Sequence, residues 1–200
     1  DRLGLYNEYA KKLIDLNKAY YCFCTQEELD IKRKEHASKN EFFKYDRKCL
    51  SLSSKEISKR LNERKDYCIR IYIDDSKDLS FDDIVYKRIA FKGSDIDDFV
   101  IIRKDATPTY NFCVAIDDAL MDISHVIRGE DHLSNTPKQI YIYDTLGFKR
   151  PIFCHLPMIL DSNGKKLSKR ALSSSIDEYI KEGFLPEAVI NYLALLGWSL

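Results

Sequence analysis

The sequence predicts an α/β fold built on parallel strands, with a smaller α+β unit beside it. Three observations carry this. Residues 123–160 read as strand, helix and strand over roughly thirty-five residues, a crossover that makes the two strands parallel. Residues 19–104 mix short β-rich runs with short helices. Helical periodicity opens the chain, and an apolar helix closes it. Two hundred residues hold one large domain or two small ones, and 44% hydrophobic with 32% charged content is ordinary for a globular protein.

Apolar residues at Leu5, Tyr6, Tyr9, Ala10, Leu13, Ile14 and Leu16 predict a helix over 5–17, ended by Asn17-Lys18. Ala19 to Cys24 reads as a short strand. Thr25 with Glu28 three residues on is a capping-box pattern and starts a helix over 26–38. Residues 39–52 are irregular, and Ser53 or Ser54 caps a helix that runs through Leu61. Tyr67 to Ile73 reads as a strand; Ile84-Val85-Tyr86, Ile89-Ala90-Phe91 and Phe99 to Ile102 read as three more. Past Thr107 the texture changes. Ile123 to Ile127 is a compact apolar strand that runs into Arg128-Gly129-Glu130-Asp131-His132. Ser134, Asn135 and Thr136 are good N-caps, Pro137 suits the first helical position, and Gly147 is a natural stop after Leu146. Pro151 to Leu160 supplies the next strand. Ser173-Ser174-Ser175 caps a helix over 176–182 closed by Gly183, and Pro186 opens another that ends at Gly197.

Net charge is zero, so no global field favours nucleic acid or a membrane. The local balance differs. Residues 31–70 hold thirteen Lys/Arg against six Asp/Glu, whereas residues 71–131 hold seven against fourteen. The first segment can therefore meet a polyanion. No signal-peptide pattern occurs, and no apolar run is long enough to span a bilayer. Six cysteines without secretory context point to a reducing cytosol, with the thiols free or on a metal. The chain opens inside one helix and closes on another, so it is expected to be an internal piece of a longer cytoplasmic protein.

The chemistry concentrates in two places. Lys165-Lys166-Leu167-Ser168-Lys169-Arg170 sets four cations within six residues, directly after the turn Asp161-Ser162-Asn163-Gly164. Ammonium groups, a hydroxyl and backbone N–H groups together suit a polyphosphate. The other is Arg128 to His132. Both follow strand ends, and open α/β sheets bind ligands beyond the carboxyl ends of their strands. The two clusters are thus expected to share one crevice.

Several motifs in order now resemble a family. They are Tyr20-Tyr21-Cys22-Phe23-Cys24, Pro108-Thr109-Tyr110-Asn111-Phe112, Asp117-Asp118, His125 to His132, Asn135-Thr136-Pro137-Lys138-Gln139, Lys166 to Arg170 and Glu182 to Ala188. The chain resembles bacterial glutamyl-tRNA synthetases, of the class I aminoacyl-tRNA synthetases, over almost its whole length. The resemblance implies ATP-dependent activation of glutamate, with magnesium, and its transfer to the 3′ end of tRNA(Glu) by a soluble, monomeric enzyme. It implies a Rossmann-like catalytic domain split by an insertion that grips the acceptor stem. Residues 1–18 would close the first catalytic half, 19–104 form the insertion, 105–164 the second half, and 165–200 the lysine loop (a KMSKS-type loop) and the start of a stem-contact helical domain. Lys169 would contact the ATP phosphates, with Lys166 and Ser168 in the same loop. Tyr110 and Arg128 would bind glutamate, the arginine offering a bidentate fork. Asp131 would lie near the ATP adenine and ribose, and His132 receives no catalytic role.

The pattern departs from the family in two ways. The HIGH-type tetrapeptide is absent and is expected upstream, so the 200 residues alone are expected to be inactive. Some relatives carry zinc in the insertion, on a Cys-x-Cys followed by a Cys-x-His or similar pair. Here Cys22, Cys24 and Cys49 are followed by Ser51, a poor fourth ligand, and His36 stands in the wrong position. Three free cysteines are therefore expected, with no metal ligand assigned and zinc as the alternative. Two rival functions share these motifs: a short paralogue that places glutamate on a modified anticodon base, and a non-catalytic tRNA-binding module. Lys169, Arg128 and Tyr110 together argue against the latter.

Overall fold

The computed structural model describes residues 2–40, 43–63, 66–158 and 176–195. Helix α1 (Leu3–Asp15) buries Tyr6, Ala10 and Leu13 along one face, as its periodicity requires. Strand β1 (Ala19–Cys22) pairs antiparallel with β2 (Cys68–Ile71), which pairs antiparallel with β5 (Val100–Ile102). Helices α2 (Gln26–Ser38) and α3 (Ser54–Asn62) lie between β1 and β2 in the chain. Each starts at a full capping box. Thr25 accepts from the Glu28 N–H at 3.2 Å while Glu28 accepts from the Thr25 N–H at 3.0 Å. Ser53 and Glu56 repeat the device.

The segment after α2 is held by a buried carboxylate. Asp98 accepts from the Tyr20 hydroxyl at 2.7 Å, from Arg47 Nε at 3.1 Å and Nη2 at 3.0 Å, and from the Ile73 N–H at 2.9 Å. Four donors to one carboxylate tie an irregular stretch to β1 and β2.

Ile84-Val85-Tyr86, expected as a strand, forms a turn. Asp83 Oδ1 accepts from the Val85 and Tyr86 N–H groups at 3.0 and 3.1 Å and closes it. The strands flank the turn: β3 (Leu79–Asp83) and β4 (Lys87–Phe91) form a hairpin. In β3 Leu79, Phe81 and Asp83 face inward, while Asp82 is exposed. The alternation is real, but its polar half and its final acid disguise it.

Helix α4 (Tyr110–Leu120) leads to β6 (His125–Gly129), a 3-10 turn over Glu130–Asn135, α5 (Thr136–Leu146) and β7 (Ile152–Leu156). Gly147, at φ 72°, ends α5 in the left-handed conformation that favours glycine. Strands β6 and β7 pair in parallel from His125–Ile152 to Gly129–Leu156, the expected crossover unit. Strand β3 joins β7 in parallel through Asp83 and Phe153. The 4-stranded sheet therefore runs β4-β3-β7-β6, and the 19–104 stretch contributes strands to both sheets. One apolar cluster joins them, with Leu13 from α1, Ile71 from β2, Phe112 from α4, Ile140 from α5 and Phe153 from β7 all buried in it.

Helices α6 (Ile176–Lys181) and α7 (Pro186–Leu195) occupy the places expected, with Gly183 at φ 81° between them. The predicted loop Lys165–Arg170, the turn before it and the Ser173–Ser175 cap lie outside the described residues. No helix among the described residues is long and apolar enough to cross a membrane.

Candidate functional site

Strand β6 delivers Arg128 to the carboxyl end of the parallel sheet, and the first turn of α4 brings Tyr110 beside it. The guanidinium is half-buried and meets neutral acceptors. Its Nε donates to His155 Nε2 at 3.1 Å. Its Nη2 donates to Thr136 Oγ1 and to Gln139 Oε1, both at 2.9 Å. The ring of Phe153 lies 5.8 Å beneath it. Burial lowers the Arg128 pKa, opposed by Tyr110 and by the nearby Asp118 carboxylate, and the group remains a cation. Burial likewise raises Asp118, although Arg128 pulls it the other way.

Further polar groups carry the network outward. Gln139 Nε2 donates to Asn111 Oδ1 at 3.0 Å, and Asn111 Nδ2 donates to Asn135 Oδ1 at 3.3 Å. Asn135 stands 3.3 Å from His132 Nδ1, and the His132 ring packs 5.8 Å from that of Tyr110. Tyr110 is 46% exposed, not a core tyrosine. Its open ring and hydroxyl beside a fixed cation can receive a small carboxylate.

Tyr110 and Arg128 are thus brought together as the sequence suggests. Asp131 sits exposed on the 3-10 turn, and the bare Cα of Gly129 admits it, since a Cβ there would stand 2.6 Å from Asp131 Oδ1. Glu130 does not pair with Arg128; it accepts from the Tyr86 hydroxyl, and from the Met158 N–H at 2.8 Å. This last contact keeps the chain leaving β7 next to the end of β6. Lys166, Ser168 and Lys169 lie outside the described residues.

Two expectations need correction. The Arg128 fork is not open to a ligand: Nε and Nη2 are held by His155, Thr136 and Gln139, and the guanidinium also interacts with the Tyr110 side chain. Thr136 is not a helix cap, because its hydroxyl serves Arg128 and the 3-10 turn runs straight into α5. The sequence gives Gln139 no role beyond its place in a motif, and it leaves His155 and Asp83 unmarked. Their signal is a polar residue where periodicity asks for an apolar one.

A second cluster lies at the end of β1. The Cys22, Cys24 and Cys49 sulfurs are buried and all lie within 4.8 Å of one another. Cys24 and Cys49 Sγ are 3.7 Å apart, and the Tyr45 hydroxyl lies 3.3 Å from both Cys22 and Cys24 Sγ. The Phe23 N–H donates to Cys49 Sγ at 3.3 Å. Neither candidate fourth ligand joins them: the Ser51 hydroxyl donates to the Lys48 carbonyl, and His36 packs edge-on against Phe43. Hydrogen bonding from Cys49 and Cys68 pulls the Cys22 thiol well below its ordinary value, against burial. Two thiolates on a tetrahedral zinc stand about 3.8 Å apart, given Zn–S bonds of about 2.3 Å. The donor set and its spacing fit that ion.

The whole chain, residues 1–200, matches the family model described as tRNA synthetases class I (E and Q), catalytic domain. It is 49% identical over 199 residues to a glutamate–tRNA ligase of a Hydrogenobaculum species, covering 100% of this chain and 43% of that protein. Against the glutamate–tRNA ligase of Aquifex aeolicus it is also 49% identical, covering 42% of that protein. Among solved structures, a glutamate tRNA ligase from Elizabethkingia meningosepticum in complex with its amino acid superposes with a TM-score of 0.87 at 34% identity, over 99% of this chain and 44% of that one. The glutamate–tRNA synthetase of Elizabethkingia anophelis gives 0.86 at 33% identity, over 100% and 45%. The chain spans less than half the length of each.

Proposed function

Because this chain belongs to the catalytic-domain family of class I tRNA synthetases for glutamate and glutamine, we propose that the protein carrying it activates glutamate with ATP and transfers it to the 3′ end of tRNA(Glu). Its α/β fold is that of the class I catalytic domain. One observation supports the amino-acid end of the reading: a cation fixed by buried neutral acceptors, beside an exposed tyrosine, at the carboxyl end of parallel strands. Arg128 and Tyr110 hold glutamate. Asp131 lies towards adenosine, and Lys166, Ser168 and Lys169 meet the ATP phosphates, with magnesium accompanying ATP. The glutamate α-carboxylate attacks the α-phosphorus and pyrophosphate leaves; the terminal ribose hydroxyl of tRNA then attacks the acyl carbon and AMP leaves. The chain's part is to position and to balance charge. Residues 19–104 grip the acceptor stem, between the catalytic halves at 1–18 and 105–164, and residues 165–200 carry the lysine loop into the stem-contact domain. In ATP–pyrophosphate exchange by the full-length protein, exchange requires glutamate, and Arg128→Ala raises the glutamate KM at least about tenfold with the ATP KM little changed. Exchange that ignores glutamate, or an Arg128→Ala variant with unchanged glutamate KM, contradicts the reading.

A structural zinc at Cys22, Cys24 and Cys49, with the Tyr45 oxygen as fourth donor, belongs to the same proposal. Bound there, it would cross-link the end of β1 to the segment after α2. Protein purified without chelators is expected to hold about one zinc per chain, and Cys49→Ser to lose it and melt lower. Metal-free protein that melts at the same temperature as the metal-loaded form removes the zinc.

A further inference from the structure

We propose that Asp83 and His155 position Arg128 for the substrate carboxylate, so that the β3–β4 hairpin helps to set the affinity for the amino acid. The inference rests on Arg128 being the carboxylate-binding residue proposed above.

The three side chains form a line across neighbouring strands. Arg128 on β6 is in register with His155 on β7, and Asp83 ends β3 opposite Phe153 of β7. His155 is 0% exposed and Asp83 3%. His155 Nδ1 stands 2.7 Å from Asp83 Oδ2, and its backbone N–H donates to the same oxygen at 3.1 Å. The other carboxylate oxygen receives the N–H groups of Val85 and Tyr86. Burial would raise the Asp83 pKa, but these bonds, that from His155 foremost, outweigh it and hold the carboxyl below its ordinary value. Asp83 is therefore an anion that cannot turn away.

A fixed acceptor at Nδ1 decides the histidine tautomer. The ring proton faces Asp83, and Nε2 keeps its lone pair for Arg128 Nε, which can only donate. The Thr136 hydroxyl shares that nitrogen at 3.1 Å. Together with the Thr136 and Gln139 bonds, three of the five guanidinium N–H groups are then fixed. Turning the guanidinium breaks buried hydrogen bonds, so Nη1 keeps one direction.

The test is steady-state exchange in the full-length protein, with glutamate and ATP varied separately. Replacing His155 by Phe keeps a ring but removes both nitrogens. Replacing it by Gln returns a polar atom near the Nε2 position, whereas Asn returns one only near Nδ1. His155→Phe and His155→Asn are expected to raise the glutamate KM by about tenfold or more, the scale on which outer partners of a ligand act, while the ATP KM stays within twofold. His155→Gln recovers most of that loss, and Asp83→Asn resembles His155→Asn. Because Gln and Asn are alike in polarity, their comparison stands even if the Phe variant fails to fold. Equal glutamate KM values for the Gln and Asn variants overturn the positioning role, as does a loss shared equally by ATP and glutamate. If Arg128→Ala itself leaves the glutamate KM unchanged, the site reading fails instead.

Discussion

Lys169 is expected to bear the charge that grows on the leaving pyrophosphate. Lys169→Ala should lower glutamate activation about 10²–10³-fold, near 3–4 kcal/mol, the usual loss for one transition-state contact; a variant within threefold of wild type in pyrophosphate exchange contradicts it. The sequence marks such clusters because their chemistry is local, as with four cations within six residues or an arginine expected at a strand end; Lys169 itself lies outside the described residues. Tyr110 and Arg128 were paired through the resemblance rather than through local chemistry, and the structure brings them together. His155 and Asp83 were marked by neither, because their meaning is non-local. A histidine among Phe153, Cys154 and Leu156 reads as strand filler until β3 sets a carboxylate beside it, 72 residues away in sequence.

The same contrast holds for whole elements. A capping box announced α2 and a serine cap announced α3, because cap and helix are neighbours in sequence; the structure adds Glu56 to the second cap. Strand β3 was hidden because its outward positions are Ser80 and Asp82, and its last inward one, Asp83, is an acid. The neighbouring Ile84, Val85 and Tyr86 look like a strand, yet their backbone is shaped by the Asp83 carboxylate and their side chains are exposed. Asp98 is the corresponding hidden feature of the smaller sheet. It unites β1, β2 and the irregular segment after α2, and nothing in its surroundings marks it as buried. Asp98→Ala should destabilise the protein by about 3–5 kcal/mol, because it leaves Arg47 and the Tyr20 hydroxyl without their shared acceptor. Equilibrium denaturation checks this, and a loss below about 1 kcal/mol would show that Asp98 is not the clasp.

At the scale of the molecule, two sheets share one apolar core, and the hairpin of residues 79–91 extends the sheet that carries Arg128. The segment proposed to grip the acceptor stem is therefore joined, through β3, to the strands proposed to hold glutamate. An enzyme that loads a tRNA terminus needs both functions at one place. The most direct measurement is glutamate labelling of tRNA by the full-length protein, with ATP and magnesium, comparing tRNA that has an intact 3′ end with tRNA lacking the terminal adenosine. The account predicts labelling of the intact tRNA alone. Equal labelling of the shortened tRNA would place glutamate on an internal base and contradict it.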